Sequence, residues 1–207
     1  MRSKDPLKAE SIRAKALEML AKEGFDGFSM QKLAKAAGVS PATLYIHFED
    51  RDDLLFQLYR EQLEVFTQAL LVDFDPNEPF QRCLEVQWRN RLRFCRENPA
   101  SWSLVDQILH SPYHKGFSKR LDGSFFHVLG EFVRNGVARG ELHDFRGEDP
   151  KGGFQVFWSL AYAPLYELIR FESERSLSKD GGVGTAFRIT PEVFQNTLRR
   201  VLRALQP

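Results

Sequence analysis

Three side chains in the middle of the chain have the spacing of metal ligands. Asp106, His110 and His114 follow one another at i, i+4 and i+8, which would place them on one face of a helix. Ser111-Pro112 lies between the last two, and proline ends or breaks a helix, so this face is not continuous. No serine or cysteine lies in a glycine-flanked turn, and the five histidines have no obvious catalytic partner arrangement. The sequence therefore indicates neither a metal site nor an enzyme, and no cofactor is expected.

The composition indicates a folded protein and not a disordered one. The chain has 207 residues, 43% of them hydrophobic, with 18 Phe and 3 Trp, which is ample material for a core. The net charge is +1, but residues 1–48 carry eight Lys or Arg against five acids, a weak indication of an anionic partner there. Cys83 and Cys95 lie twelve residues apart in a helical pattern, about 18 Å, which is too far for a disulfide. Neither a signal peptide nor a membrane-spanning run is visible, so we expect a cytoplasmic protein without membrane contact.

Helix start signals recur along the chain. Seven prolines follow a residue that can cap a helix, and proline costs nothing at the first helical position. These pairs are Asp5-Pro6, Ser40-Pro41, Asp75-Pro76, Asn98-Pro99, Ser111-Pro112, Asp149-Pro150 and Thr190-Pro191. Ser29 and Asp50 mark two further starts, and no segment alternates as a strand would. The sequence therefore predicts an all-α fold of about nine helices, with a small N-terminal helical unit followed by a larger bundle.

Residues 38–48, GVSPATLYIHF, have the pattern of a tight turn that leads into a short helix. Gly38 can adopt the positive φ that ends the preceding helix, Ser40 can cap the next one, and Pro41 suits its first turn. Leu44 and Phe48 would be buried. Two short helices joined by a turn of three or four residues with glycine form a helix-turn-helix. In that unit the second helix enters the major groove of DNA through its N-terminal residues.

The segment FSMQKLAKAAGVSPATLYIHFEDRDDLL resembles the DNA-binding signature of the TetR family of bacterial transcriptional regulators. The resemblance covers about residues 8–56, and GVARGEL at 136–142 is similar to a turn that many members have before their penultimate long helices. It implies a helix-turn-helix DNA-binding domain over residues 1–48 and a ligand-binding and dimerisation domain over residues 49–207. The implied DNA-binding residues are Ser29, Gln31, Ser40, Pro41, Ala42, Thr43, Tyr45, His47 and Arg51.

The resemblance implies a role for each of these positions. Phosphate contacts are expected from Ser29, Tyr45, His47 and Arg51. Gln31 could bond an adenine edge, Thr43 a base or a phosphate, and Pro41 and Ala42 could contact thymine methyl groups. Ser40 caps the recognition helix.

Two features depart from the family pattern. Arg51 replaces the usual lysine, which preserves the charge. Four acids lie beside the proposed phosphate contacts, namely Glu49, Asp50, Asp52 and Asp53. They suit the N-terminus of the next helix, but we expect them to weaken non-specific DNA binding.

From residue 75 onward, large aromatic residues recur at helical spacing, which fits either a plain core or a ligand cavity between helices. Pro164 should kink its helix, which opens space and frees a carbonyl group. A small, largely apolar or aromatic effector is therefore expected to bind near Trp88, Arg91, Trp102, Asp106, Phe126, Trp158 and Tyr162. Arg91 or Asp106 would supply the polar contact.

The last two long helices carry apolar stripes. Their members are Phe157, Ala161, Leu165 and Leu168, then Phe194, Leu198, Val201, Leu202 and Leu205. Bundle packing alone could account for them, whereas the resemblance implies a four-helix homodimer interface formed by all of these except Leu205. Two-fold pairing also doubles the DNA site that one short helix can read.

The combined expectation is a homodimeric, ligand-responsive transcriptional regulator, a repressor that binds a palindromic operator. Two alternatives stay open. One is an all-α small-molecule-binding protein or enzyme whose N-terminal unit is only structural. The other is a module that binds another protein through its aromatic bundle, which would require a large exposed apolar patch.

Overall fold

The computed structural model describes residues 6–120, 124–145, 150–177 and 187–207. In these ranges the chain forms α1 (Pro6–Gly27), α2 (Met30–Ala36), α3 (Pro41–His47), α4 (Arg51–Leu70), α5 (Phe80–Glu97), α6 (Pro99–Leu109), α7 (Tyr113–Ser118), α8 (Ser124–Ala138), α9 (Pro150–Ala161), α10 (Ala163–Leu177) and α11 (Pro191–Leu205). These ranges contain no strand, which confirms the all-α prediction. The described part of the chain also has no helix that is long and apolar enough to span a membrane.

The described residues form two helices more than the nine that were predicted. The start of α8 has no proline and no predicted signal, and residues 150–173, predicted as one helix, are divided at Tyr162 into α9 and α10. Pro164 gives the reason for the division, because it has no N–H to donate to the carbonyl oxygen of Leu160. The indole Nε1 of Trp88 donates to the carbonyl oxygen of Ala161, 2.8 Å away, at the end of α9.

Side-chain caps hold several of the predicted helix starts. The hydroxyl oxygens of Ser29, Ser40 and Thr190 each accept a bond from the backbone N–H three residues later, at 3.2 Å in every case. Asn98 precedes the proline that begins α6, but its side chain makes no cap bond. Local cap chemistry therefore fixes the starts of α2, α3 and α11.

The predicted start at Asp75-Pro76 was wrong. Helix α5 begins at Phe80, and the backbone N–H of Phe80 donates to the carboxylate of Glu141 at 2.8 Å. Arg139 holds the same region, because its guanidinium donates to the carbonyl oxygen of Glu78 at 2.8 Å and lies 3.1 Å from the Glu141 carboxylate. The cap of α5 thus comes from a residue far along the chain.

The chain divides into two compact units. The N-terminal unit comprises residues 6–69 and 94–120, and the C-terminal unit comprises residues 70–93, 124–145, 150–177 and 187–207. Helices α4 and α5 each begin in one unit and end in the other. The unit that contains α1–α3 therefore extends beyond the functional boundary predicted at residue 48.

The core of the N-terminal unit is formed by side chains from α1, α2, α3, α4, α6 and α7. Its fully buried members include Ile12, Ala16, Leu20, Leu33, Leu44, Leu54, Leu55, Leu104 and Ile108. Burial of each large aliphatic side chain contributes about 1.5–3 kcal/mol. Inside α1, Gly24 has a non-helical backbone with a φ of 67°, so the helix is kinked there. This core fixes α2 and α3 against the longer helices.

The C-terminal unit is built around aromatic side chains. Phe80 of α5 stacks on Phe132 of α8, with ring centroids 5.5 Å apart, and Phe157 of α9 packs against both rings. Helix α11 presents Phe194 to Trp88, with centroids 5.8 Å apart. Such offset or edge-on pairs contribute beyond their buried area.

Candidate functional site

The turn between α2 and α3 has the geometry that the helix-turn-helix prediction requires. Gly38 has a φ of 65°, in the left-handed region that favours glycine. The N–H of Val39 donates to the carbonyl oxygen of Ala34 at 3.0 Å, and the Val39 side chain packs against the core of the unit. The direction in which α3 leaves α2 is therefore fixed by the backbone and by packing.

Helix α3 has one face in the core and one face in solvent. Leu44 is fully buried and Phe48 follows it, whereas Pro41, Ala42 and Tyr45 are exposed. Tyr45 keeps 56% of its surface accessible. The N-terminal end of α3 and the Tyr45 side chain are thus available to a partner.

The predicted polar contacts differ in their accessibility. Ser29 and Thr43 are half-buried, Gln31 and Ser40 are exposed, and the Ser40 and Thr43 hydroxyl oxygens lie 2.9 Å apart. His47 is buried, with 9% of its surface exposed, and its ring packs 6.2 Å from that of Phe48. The expected phosphate contact of His47 stays a prediction that would need this side chain to become accessible.

Arg51 is held within the N-terminal unit. Its Nη1 donates to the Tyr113 hydroxyl at 2.7 Å, and its Nη2 donates to the carbonyl oxygen of Phe25 at 2.9 Å. Its Cζ atom also lies 6.0 Å from the centre of the Phe28 ring. Arg51 therefore joins the start of α4 to the end of α1 and to α7, and its phosphate contact remains a prediction.

The acids at residues 49–53 cap α4. The Asp50 carboxylate accepts the N–H of Asp53 at 2.8 Å, and the Asp53 carboxylate accepts the N–H of Glu49 at 3.0 Å. These reciprocal bonds resemble a capping box, and carboxylates are favourable at a helix N-terminus. Two of the four acids thus have a structural role.

Lysines of α1 and α2 lie together on the surface of the N-terminal unit. Lys15, Lys22, Lys32 and Lys35 line a shallow depression together with Glu18 and Glu23. Glu18 pairs with Lys15 at 2.7 Å, and the pKa of Glu18 is lowered, first by that hydrogen bond and then by the charge of the lysine.

Comparison with known proteins identifies the family to which the helix-turn-helix segment is similar. Residues 12–58 match the family described as bacterial regulatory proteins, tetR family. An uncharacterized HTH-type transcriptional regulator of Haemophilus influenzae is 27% identical over 198 residues, 96% of this chain and 95% of its own length. A solved TetR family transcription regulator from Marinobacter aquaeolei is 25% identical and covers 99% of this chain and 98% of its own, with a TM-score of 0.76.

The chain belongs to the TetR family. It is a DNA-binding transcriptional regulator with the helix-turn-helix at α2 and α3. The fatty acid metabolism regulator protein of Bacillus subtilis is also similar, 33% identical over 73 residues, which are 35% of this chain and 37% of the relative.

In this TetR family protein, four of the seven predicted effector residues lie in one cluster of the C-terminal unit. Trp88 and Arg91 are fully buried, the Trp158 and Tyr162 rings lie 4.6 Å apart, and the Arg91 Cζ lies 4.0 Å from the centre of the Tyr162 ring. We call Gln87, Trp88, Arg91, Trp158, Tyr162 and Tyr166 the Arg91 cluster. Burial raises the pKa of Tyr162 to about 12, so its hydroxyl stays protonated.

Of the other three predicted effector residues, two belong to the other compact unit of the chain. Trp102 and Asp106 belong to the N-terminal unit, where Trp102 packs 5.9 Å from Phe66 and Asp106 lies 3.4 Å from His110. The side chain of Phe126 lies outside the described residues. Helical periodicity placed these residues on apolar faces without indicating which unit each face belongs to.

Buried amides near the cluster were missed from the sequence. The Gln87 and Asn90 side chains donate to the carbonyl oxygen of Leu70 at 2.7 and 3.1 Å, and Asn90 also donates to that of Val72 at 2.7 Å. They satisfy backbone groups at the end of α4, which would otherwise be buried without partners. These bonds tie α5 to the end of α4 and to the residues that follow it.

The predicted dimer residues are largely used within the single chain. Seven of the eight are buried in the C-terminal unit, namely Phe157, Ala161, Leu165, Phe194, Leu198, Val201 and Leu202, and Leu168 is half-buried. Other apolar side chains on α9 and α10 are exposed: Phe154 at 37%, Val156 at 49%, Leu160 at 37% and Phe171 at 54%. Val156 and Leu160 are four residues apart on α9 and share one side of that helix, which we call the exposed apolar face.

Proposed function

We propose that this TetR family regulator is a homodimeric repressor that binds a palindromic operator and is released by a small apolar or aromatic effector. The observation that carries the proposal is the exposed N-terminal end of α3, held by a glycine turn and a serine cap. Pro41, Ala42, Thr43 and Tyr45 would meet the major groove, and Gln31 would read an adenine edge. The protein would act in the bacterial cytoplasm, where the chromosome lies.

The exposed apolar face suggests how two copies would pair. Exposed large apolar residues in one region mark interaction surfaces. Val156 and Leu160 remain accessible on α9 after the predicted stripe is buried in the chain's own core. A second copy placed against these residues would bury them and double the DNA site.

Leu160→Glu tests this pairing. A charge at the centre of an apolar contact should convert the dimer to a monomer in light scattering coupled to gel filtration. Val65→Glu is the matched control, because Val65 is also an exposed apolar residue, on α4 in the other unit. A Leu160→Glu variant that stays dimeric would exclude this face.

Selection of genomic fragments by the purified protein tests DNA recognition. We expect enrichment of an inverted repeat that binds more tightly at low salt, because phosphate contacts release counterions. If nothing is enriched, the selection is repeated on protein unfolded and refolded without any trapped ligand. A second negative result would reject the proposal.

Effector action would be a shift in population between DNA-competent and DNA-incompetent states. A ligand moves this equilibrium only by its difference in affinity for the two states. Binding in the C-terminal unit would change the distance between the two α3 helices of the dimer. Saturating effector that leaves operator affinity unchanged would contradict this mechanism.

A further inference from the structure

The guanidinium of Arg91 is a fully buried positive charge in the C-terminal unit. Arginine stays protonated in proteins. Its Nε donates to the Tyr166 hydroxyl at 3.0 Å, and its Nη1 donates to the backbone carbonyl oxygen of Gln87 at 3.2 Å and to the Gln87 side-chain oxygen. The Trp158 and Tyr162 rings lie over it, 5.7 and 4.0 Å from Cζ. All of these neighbours are uncharged.

Two buried polar atoms of the Arg91 cluster have no hydrogen-bond partner among the described residues. They are Nη2 of Arg91 and the hydroxyl oxygen of Tyr162. No carboxylate of the described chain forms an ion pair with Arg91. A buried charge without a counter-charge is costly, and a buried hydroxyl without a partner adds to that cost. Cation–π contacts recover part of the cost but bring no negative charge.

We propose that Arg91 and Tyr162 bind the carboxylate of the effector, which is a small monocarboxylic acid with an apolar body. The inference rests on the proposed function in assuming that an effector exists. One guanidinium nitrogen and one hydroxyl provide two donors for the two oxygens of a carboxylate. A dianionic phosphate would bring two negative charges against one cation, so a monoanion fits better. Because burial raises the pKa of Tyr162, that hydroxyl is a donor at neutral pH.

A neighbouring cavity offers room for the apolar body. It has a volume of about 190 Å³ and is lined mainly by apolar side chains, including Val133, Val137, Phe145, Phe154 and Phe157. Phe157 lines this cavity and also packs edge-on to Tyr162, with ring centroids 6.2 Å apart. The cavity is smaller than the roughly 300 Å³ at which drug-sized sites begin, which suits a small acid.

Two matched pairs of probes test the charge requirement on the full chain. They are 4-phenylbutyrate against 4-phenylbutanamide and octanoate against octanamide, measured by calorimetry and by thermal shift. We expect at least one acid to bind, and its amide to bind at least about tenfold more weakly, because only the acid supplies a negative charge to Arg91.

Two variants locate the contact. Arg91→Met should weaken binding of the acid by about 10- to 100-fold and leave the amide unaffected. It should remain folded, because apolar replacement of a buried charge is often tolerated. Tyr162→Phe keeps the ring and should weaken the acid by about three- to tenfold. Arg89→Met is the control, because Arg89 is exposed on the same helix and pairs with Glu85 at 2.6 Å.

Three results would overturn the inference: equal affinity for acid and amide, unchanged acid binding in Arg91→Met, or no binding of either acid. None of these measurements contains DNA. If one of these results is found and the protein still binds its operator, the inference is wrong and the proposed function is unaffected. Acid binding by a protein that recognises no operator would contradict the proposed function and leave the inference standing.

Discussion

Replacement of Gly38 by alanine perturbs the turn between α2 and α3 through its backbone alone. Gly38 has a φ of 65°, and a Cβ built there meets no heavy atom within 4 Å. The cost is therefore the strain of an L-residue in the left-handed region, roughly 1–2 kcal/mol of unfolding free energy. For a chain of this size each kcal/mol corresponds to about 2–4 °C in Tm. Asparagine tolerates this region better, so Gly38→Asn should lose less.

Gly140→Ala is the matched control for this prediction. Gly140 ends α8 in the C-terminal unit with a φ of 69°, and its Cβ would also meet nothing within 4 Å. Both alanine variants should therefore lose similar stability. Only Gly38→Ala should also weaken DNA binding, because Gly38 sets the direction of α3.

Urea unfolding followed by circular dichroism measures the stability change, and fluorescence anisotropy with a selected operator fragment measures DNA binding. Unchanged stability in Gly38→Ala would refute the assignment of a left-handed backbone at this position. Equal loss of DNA affinity in both variants would show that the turn has no specific role in recognition.

Three further predictions follow from other contacts. Arg51→Ala removes the hydrogen bonds to Tyr113 and Phe25 and should lower the unfolding free energy by about 2–3 kcal/mol, measured by urea titration. An unchanged unfolding free energy would show that these bonds do not stabilise the fold. Ser40→Ala removes the cap of α3 and should cost about 1 kcal/mol, which Ser40→Asp should largely restore in the same titration. Burial raises the pKa of the Cys83 thiol to about 11, so the reactive thiolate is scarce at pH 8. Labelling of Cys83 by a disulfide reagent should therefore be slow until urea unfolds the chain. Rapid labelling of the native protein would contradict this prediction.

The helix-turn-helix could be predicted from residues that lie close together in the sequence. Ser29 and Ser40 cap their helices and Gly38 takes positive φ, because each depends on residues within a few positions. The family signature covers the same segment. For this part of the chain, sequence and structure lead to the same interpretation.

Contacts between residues distant in sequence could not be predicted in this way. The cap of α5 comes from Glu141, 61 residues after Phe80, so the local signal at Asp75-Pro76 was misleading. Arg51 likewise bonds Phe25 and Tyr113, which are 26 and 62 residues away. Only the folded chain brings these partners together.

Periodicity also left the partner of an apolar stripe undefined. The apolar stripe from Phe157 to Leu165 is buried, and so is the apolar stripe of α11. The chain's own helical bundle covers both stripes. A pattern of apolar residues shows that a face is buried and cannot distinguish packing within one chain from packing between two copies. The exposed apolar face became visible only after these contacts were known.

The most direct test of DNA recognition by α3 compares Tyr45→Phe with Tyr59→Phe on the selected inverted repeat across a salt series. Both variants remove one hydroxyl, but Tyr45 is 56% exposed on α3, whereas Tyr59 is 2% exposed in the core of the same unit. If Tyr45 donates to a phosphate, Tyr45→Phe should weaken binding roughly tenfold or more and Tyr59→Phe should leave it unchanged. Wild-type affinity in Tyr45→Phe would contradict this account of how α3 meets DNA.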